Sequence, residues 1–200
     1  MILESMKNKN IYSIIFSLLL LFSTNINCSE KAITNIEEFH NSLKNSNYNI
    51  KTINEKKEFL KIIISRTFDY EKMIKFIYGR SWKDLNKELQ NELSLVFLDY
   101  ISFNYANRFK DIEFLNFEYV SFEEISNDKK IVKTLLKINN DKPIKIDYLF
   151  LYDGKNWKVF DVLLTGSISE IATKKSEFFS IIKNGGAEGL INKIKEKINY

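Results

Sequence analysis

Residues 144–166, IKIDYLFLYDGKNWKVFDVLLTG, decide how this chain folds. Two runs rich in β-branched and aromatic residues flank the sequence DGKN at positions 153–156, which predicts a β-hairpin with a short loop containing glycine. A hairpin in an antiparallel sheet usually keeps one polar face, because only one face meets the core. Here the central residues are apolar on both faces. We therefore expect helices against one face, and more helix, another subunit or a ligand against the other.

Simple alternation assigns the residues of each strand to two faces. In the first strand one face carries Ile144, Ile146, Tyr148, Phe150 and Tyr152, and the other carries Lys145, Asp147, Leu149 and Leu151. In the second strand one face carries Trp157, Val159, Asp161 and Leu163, and the other carries Lys158, Phe160, Val162 and Leu164.

The remaining elements follow from apolar periodicity and helix-end signals. Helices are expected over residues 32–47, then on either side of a polar break at 65–67, and from Asn86 along a long apolar stripe. Two strand candidates, 114–121 and 130–138, precede the hairpin, and two helices divided at Gly185-Gly186 follow it. Strands that follow helices through short connections indicate an α+β fold with an antiparallel sheet.

The N-terminal residues indicate export. Lys7 and Lys9 precede a 12-residue apolar run from Ile11 to Phe22, which is typical of a secretory signal peptide and short for a membrane span. We expect a signal peptide over residues 1–28 and a single domain over residues 29–200; an uncleaved anchor is the alternative. Cys28 is the only cysteine, so a disulfide framework is excluded, and acylation of Cys28 is a further alternative.

Charge and residue usage exclude several classes of function. Residues 29–200 contain 28 basic and 25 acidic residues, an excess too small and too dispersed for a nucleic-acid-binding protein. This excess permits a mild preference for anionic lipid surfaces. His40 is the only histidine, so neither a zinc or copper site nor a nucleophile activated by histidine is expected. We expect His40 to have a surface or satisfied structural role, and we predict no cofactor.

Asp161 is the one carboxylate that suggests chemistry, since it lies among apolar residues of a central strand. A buried carboxylic acid can act as a general base in small α+β isomerases. The alternative, which we favour, is a structural acid that accepts hydrogen bonds from backbone N–H groups or pairs with a basic side chain. Arg66, Arg80 and Arg108 are the arginines available to pair with Asp161 or with a phosphate group, although ordinary surface or capping roles suit each of them.

The aromatic residues exceed what one side of a thin sheet requires. They include Phe97, Tyr100, Tyr105 and Phe109 on the long helix, together with a second group on the strands: Phe117, Tyr119, Tyr148, Phe150, Trp157 and Phe160. Two interpretations remain open at this point. The surplus forms either a large ordinary core or the lining of a hydrophobic pocket between sheet and helices.

Several blocks of the sequence, in order between about residues 55 and 197, resemble the MlaC family, the periplasmic phospholipid-binding component of the Mla lipid transport system. This grouping is also called the toluene-tolerance auxiliary family of ABC transporters. The matching blocks are FDYEKM at 68–73, GRSW at 79–82, IDY at 146–148, WKVFDV at 157–162, GSI at 166–168, KSEF at 175–178, GG at 185–186 and GLI at 189–191. The chain departs from the family pattern at Lys175, where arginine is usual, and at Phe160, where tyrosine is common.

The resemblance implies a twisted four-stranded antiparallel sheet, similar to the nuclear-transport-factor-2-like roll, packed with a helical layer around a hydrophobic pocket. It implies a glycerophospholipid ligand, no catalysis, and a role in outer-membrane lipid asymmetry. Its partners would be an inner-membrane ABC transporter with an MCE-domain subunit and an outer-membrane lipoprotein complex. The expected lipid contacts are Phe97, Tyr100, Ile101, Tyr105, Phe117, Tyr119, Leu136, Ile146, Tyr148, Phe150, Val159 and Leu163.

Two other functions fit the sequence. A small isomerase or dehydratase would use Asp161 as its base, and an exported scaffold would bind another protein through an apolar face. For the lipid carrier we expect a periplasmic monomer, whereas the scaffold alternative predicts a stable heteromeric complex.

Overall fold

The computed structural model describes residues 28–198, with side chains from residue 31 onward. Except for Cys28, the predicted signal peptide lies outside the described residues, and so does the side chain of Cys28. In the described range, no helix combines the length and apolarity needed to cross a bilayer.

Helices occupy both ends of the described chain. They are α1 Cys28–Asn49, α2 Ile53–Thr67, α3 Tyr70–Tyr78, a 3₁₀ helix Arg80–Asp84, α4 Lys87–Arg108 and α5 Glu170–Ile198. The predicted break between α2 and α3 is confirmed, because α2 ends at Thr67 and Asp69 begins the next helix by accepting a hydrogen bond from the Lys72 N–H.

Residues at the helix ends explain these boundaries. Thr52 and Glu55 form a reciprocal capping box at the start of α2, and the Asn86 side chain accepts a 2.8 Å hydrogen bond from the Leu89 N–H at the start of α4. Gly79 ends α3 with a φ of 88°, a conformation that favours glycine. Gly186, with a φ of 60°, kinks α5 where the sequence predicted two helices.

The strands form one antiparallel sheet with the order β1-β2-β3-β4-β5. Their bounds are β1 Leu115–Ser126, β2 Lys129–Ile138, β3 Ile144–Tyr152, β4 Trp157–Leu164 and β5 Ile168–Ser169. The predicted sheet of four strands therefore gains a fifth of only two residues, and the first strand is longer than expected. The α+β class is confirmed.

A β-bulge in β4 changes which of its residues share a face. Val159 pairs with Phe150, whereas Asp161 pairs with Leu149, so Phe160 is the extra residue. An extra residue shifts the alternation by one position beyond it. Val162 therefore joins Val159 on the core face, and Leu163, which pairs with Asp147, lies on the opposite face. The predicted grouping of Leu163 with Val159 is wrong for this reason.

The hairpin is buried mainly on the face that meets the helices. Tyr148 and Phe150 are fully buried on that face, whereas Leu149 and Leu151 on the other face are only half-buried. The expected burial on both faces is thus realised only in part. The buried apolar residues run from Ala32 to Ile194, so a chain that starts at residue 29 retains the whole described core.

Phe39 of α1 connects the helices to the sheet at the centre of this core. Its ring centroid lies 5.1 Å from that of Phe68, 5.0 Å from that of Tyr105 and 6.4 Å from that of Tyr148. All three pairs are close to edge-on, the arrangement that aromatic quadrupoles favour.

His40, the next residue of α1, is buried and has a satisfied structural role. Its Nε2 lies 2.9 Å from the Tyr148 hydroxyl oxygen, with which it shares a hydrogen bond, and its ring stacks on Phe117 at 3.9 Å. Burial, helped by the positive charge of Lys44, lowers the pKa of His40 to about 3. The imidazole is therefore neutral in the folded protein at neutral pH.

His40 should make the protein sensitive to acid. Below a pH of about 6.5 the unfolded chain binds a proton at this site that the folded chain does not bind until a pH of about 3. At about 1.4 kcal/mol per pH unit, the free energy of unfolding should fall by roughly 3–5 kcal/mol across that interval. Denaturant melts of wild type and His40→Gln over this range measure the effect. Equal slopes for the two proteins would contradict it.

Candidate functional site

A cavity of about 310 Å³ lies between α3, α4, α5 and β4. Its volume is at the lower end of the range of about 300–1,000 Å³ that is typical of small-molecule sites. Its lining residues are Phe68, Met73, Ile77, Phe97, Tyr100, Ile101, Asn104, Tyr105, Asn107, Arg108, Val162, Glu170, Ile171 and Lys174.

The interior of the cavity is apolar because three elements turn apolar residues towards it. On α3, Met73 and Ile77 are one helical turn apart and share a face. On α4, Phe97 and Ile101 repeat this spacing, while β4 contributes Val162 through the shift at the bulge. These residues are all buried.

One side of the cavity carries polar side chains. We call Asn104, Asn107, Arg108, Glu170 and Lys174 the polar rim. They come from the last turns of α4 and the first turns of α5, and Asn107 and Arg108 are exposed. The rim therefore faces solvent, whereas the apolar lining lies deeper.

Opposite charges are paired at this rim. Arg108 Nη2 lies 3.6 Å from Glu170 Oε1, and Lys174 Nζ lies 2.6 Å from Glu177 Oε2. Burial lowers the pKa of Lys174, but its hydrogen bonds to Glu177 and Tyr100 outweigh this effect and leave the pKa above its usual value. Lys174 is accordingly charged at neutral pH.

The structure brings four of the twelve predicted contact residues to this cavity: Phe97, Tyr100, Ile101 and Tyr105. Five others are buried on the sheet without lining it: Leu136, Ile146, Tyr148, Phe150 and Val159. Leu163 lies on the other face of the sheet, as described above.

Phe117 and Tyr119, the last two predicted contacts, line a separate groove of about 240 Å³ between α1, β1 and β2. His40 also lines this groove, and its ring contacts Tyr148 and Phe39. Phe39 in turn contacts Tyr105, which lines the cavity. Buried aromatic rings therefore separate the groove from the cavity.

Sequence reasoning missed the walls that α3, α5 and β4 contribute. Met73 and Ile77 were visible as a helical stripe, but a stripe does not indicate whether it meets side chains or a void. Val162 was missed because the bulge depends on pairing with β3. Arg108 was considered for phosphate binding; it lies on the polar rim, where it pairs with Glu170.

Asp161 has a structural role in this fold. Its carboxylate is buried and accepts hydrogen bonds from the Val162 N–H at 2.8 Å, the Ile171 N–H at 3.1 Å and the Ser169 hydroxyl at 2.6 Å. It therefore connects β4 to the start of α5, where a negative charge is favourable. Asp161 is not among the residues that line the cavity.

Within residues 28–198, no cluster of three or more histidine, cysteine, aspartate or glutamate side chains is suited to hold a metal ion.

Comparison with known proteins shows the fold of the chain and then its family. The structure of the phospholipid-binding protein from Ralstonia solanacearum, solved in complex with a phospholipid, superimposes with a TM-score of 0.72. The match covers 86% of this chain and 97% of that chain at 20% sequence identity, so the two share a fold. The family model described as MlaC protein matches residues 34–196. The chain belongs to the MlaC family. A search of curated proteins finds no match.

Replacing Asp161 should weaken the fold. Asp161→Asn removes the negative charge and one of the two acceptor oxygens that three donors share, so the free energy of unfolding should fall by roughly 1–3 kcal/mol. Denaturant unfolding measures this change. Asp153→Asn is the matched control, because Asp153 also accepts two backbone hydrogen bonds but is exposed, and a smaller loss is expected there. Equal losses at the two positions would contradict the role of Asp161.

Proposed function

We propose that the protein is an exported carrier of glycerophospholipids that encloses acyl tails in the cavity between α3, α4, α5 and β4. The observation that carries this proposal is a buried apolar cavity with a charged, solvent-facing rim in a chain of the MlaC family. The related fold that holds a phospholipid in Ralstonia solanacearum supports the same ligand class.

The shape of the cavity suggests how the lipid is oriented. Acyl tails suit the surface formed by Phe97, Ile101 and Val162, where no charge requires solvation. A phosphodiester suits the polar rim, where Arg108 and Lys174 supply cationic N–H donors. The ligand would therefore enter tail first and leave its headgroup at the solvent.

A groove lies next to the cavity. The rings of Phe39 and Tyr105 stand between the cavity and this groove beside His40. Movement of these rings would join the two spaces and lengthen the apolar path.

Enclosure of the tails provides a physical reason for a carrier. Each methylene kept from water gains about 0.8 kcal/mol, so two tails with some thirty methylenes would cost on the order of 20 kcal/mol to expose. A protein that covers the tails lowers this barrier without a covalent step. No catalytic residue is required, and Asp161, the base of the isomerase alternative, is engaged in structural hydrogen bonds.

The proposed location is the periplasm, reached by means of the signal peptide over residues 1–28. The proposed partners are an inner-membrane ABC transporter with an MCE-domain subunit and an outer-membrane lipoprotein complex. Transfer of lipid between these two membranes would maintain the lipid asymmetry of the outer membrane.

Native mass spectrometry of the chain from residue 29 tests the ligand. We expect a mass increase that corresponds to a glycerophospholipid, identified after extraction. A clean apo mass, with no uptake from vesicles that contain labelled phospholipid, would contradict the carrier function and favour the protein-binding scaffold.

A variant that fills the cavity tests the site itself. Ile101→Trp should reduce bound lipid about tenfold or more, because the larger ring occupies space that the tails need. Leu95→Trp is the matched control on the same helix, at a side chain that is 54% exposed, and it should retain lipid normally. Circular dichroism checks that both variants are folded. Normal lipid content in a folded Ile101→Trp variant would contradict the assignment of the cavity.

A further inference from the structure

Two phenylalanine rings are exposed on the helices that wall the cavity. Phe76 of α3 is 48% exposed and Phe179 of α5 is 64% exposed. The Phe76 ring packs edge-on against Phe160 at 5.8 Å, and Lys175 Nζ lies 4.5 Å from the Phe76 ring centroid. Phe179 follows Lys175 by one helical turn and shares its face of α5. We call Phe76, Phe160, Lys175 and Phe179 the aromatic-lysine face.

Positive charge surrounds this face. Lys75 precedes Phe76 on α3, and Lys183 follows Phe179 by one turn on α5; both are exposed. Among residues 31–198, no carboxylate lies within ion-pair distance of Lys75, Lys175 or Lys183.

Nearby carboxylates do not cancel this charge. Asp69 pairs with Lys72, and Glu177 pairs with both Lys174 and Lys197. Glu71 is the exposed acid of α3 and offsets one lysine of the three. The face therefore keeps a positive excess.

Exposed aromatic rings among unpaired lysines match the interface of an anionic bilayer. Aromatic rings enter the boundary between headgroups and acyl chains, and lysines bind the phosphate layer. A rigid acidic protein would satisfy the lysines, but it offers the rings no comparable fluid apolar layer. The charge and the rings together favour a lipid surface.

The aromatic-lysine face adjoins the cavity. Phe76 lies next to Met73 and Ile77 on α3, and these two residues line the cavity. Lys175 follows Lys174 of the polar rim. A bilayer in contact with this face would therefore touch α3 and α5, two of the helices that line the cavity.

We propose that the aromatic-lysine face docks directly on an anionic phospholipid bilayer. The purpose of this contact rests on the proposed carrier function, since it places the cavity beside the membrane where lipid is exchanged. Docking itself requires only the exposed rings and lysines.

Vesicle flotation of the chain from residue 29 tests the docking. The protein should float with vesicles of phosphatidylcholine and phosphatidylglycerol, bind vesicles of phosphatidylcholine alone much more weakly, and lose binding as salt screens the lysines. Failure to bind vesicles that contain phosphatidylglycerol would overturn the proposal and leave the face to a protein partner.

Charge and ring variants locate the contact. The double variant Lys175→Glu with Lys183→Glu should weaken flotation about tenfold or more. The control is Lys51→Glu with Lys142→Glu, which makes an equal charge change at exposed sites outside α3 and α5 and should have a much smaller effect. Phe179→Ser should also weaken flotation, and Phe114→Ser, at a ring that is 51% exposed on the chain before β1, should not. Equal effects within either pair would overturn the proposal.

Two further measurements complete the test. Phe179→Trp should preserve flotation. The fluorescence of the introduced tryptophan should be quenched by brominated phospholipids in the vesicle. Quenching no greater than that of the wild-type protein would place the ring outside the bilayer and overturn the proposal. Bound lipid, measured by native mass spectrometry in the same samples, separates the two proposals. Variants that stay loaded but do not float support docking, whereas an empty protein that floats normally would contradict the carrier function alone.

Discussion

The arrangement of the cavity depends on the buried carboxylate of Asp161. An ionised carboxylate away from water requires hydrogen-bond donors, and here they come from its own strand, from Ser169 and from the first turn of α5. Satisfying this charge fixes the start of α5 beside β4. As a result Val162 and Ile171 face the same space, and Lys174 stands at its rim. One polar interaction thus positions walls that are otherwise apolar.

Local signals made most of the fold predictable from the sequence. Asp69, Gly79 and Asn86 mark helix ends through contacts within three or four residues, and such contacts can be recognised without tertiary structure. The β-bulge at Phe160 could not be predicted in this way, because it depends on how β4 pairs with β3. The bulge places Val162 on the core face and Leu163 on the opposite face, the reverse of what simple alternation predicts.

The candidate site was less predictable than the fold for a related reason. The apolar stripe of α4 identified Phe97, Tyr100, Ile101 and Tyr105, all of which line the cavity. The sheet residues Tyr148 and Phe150 have the same sequence character but fill the core. Hydrophobic periodicity indicates burial, whereas the difference between a packed side chain and a cavity wall arises from the distances between elements.

The paired charges at the polar rim bear on ligand selectivity. Arg108 pairs with Glu170, and Lys174 pairs with Glu177, which also pairs with Lys197, so three cations share two carboxylates beside the cavity. Under the proposed carrier function, this pairing leaves a surplus of one positive charge to favour an anionic over a zwitterionic headgroup. Discrimination among lipids would then fall largely to the length and saturation of the tails that the apolar lining accepts.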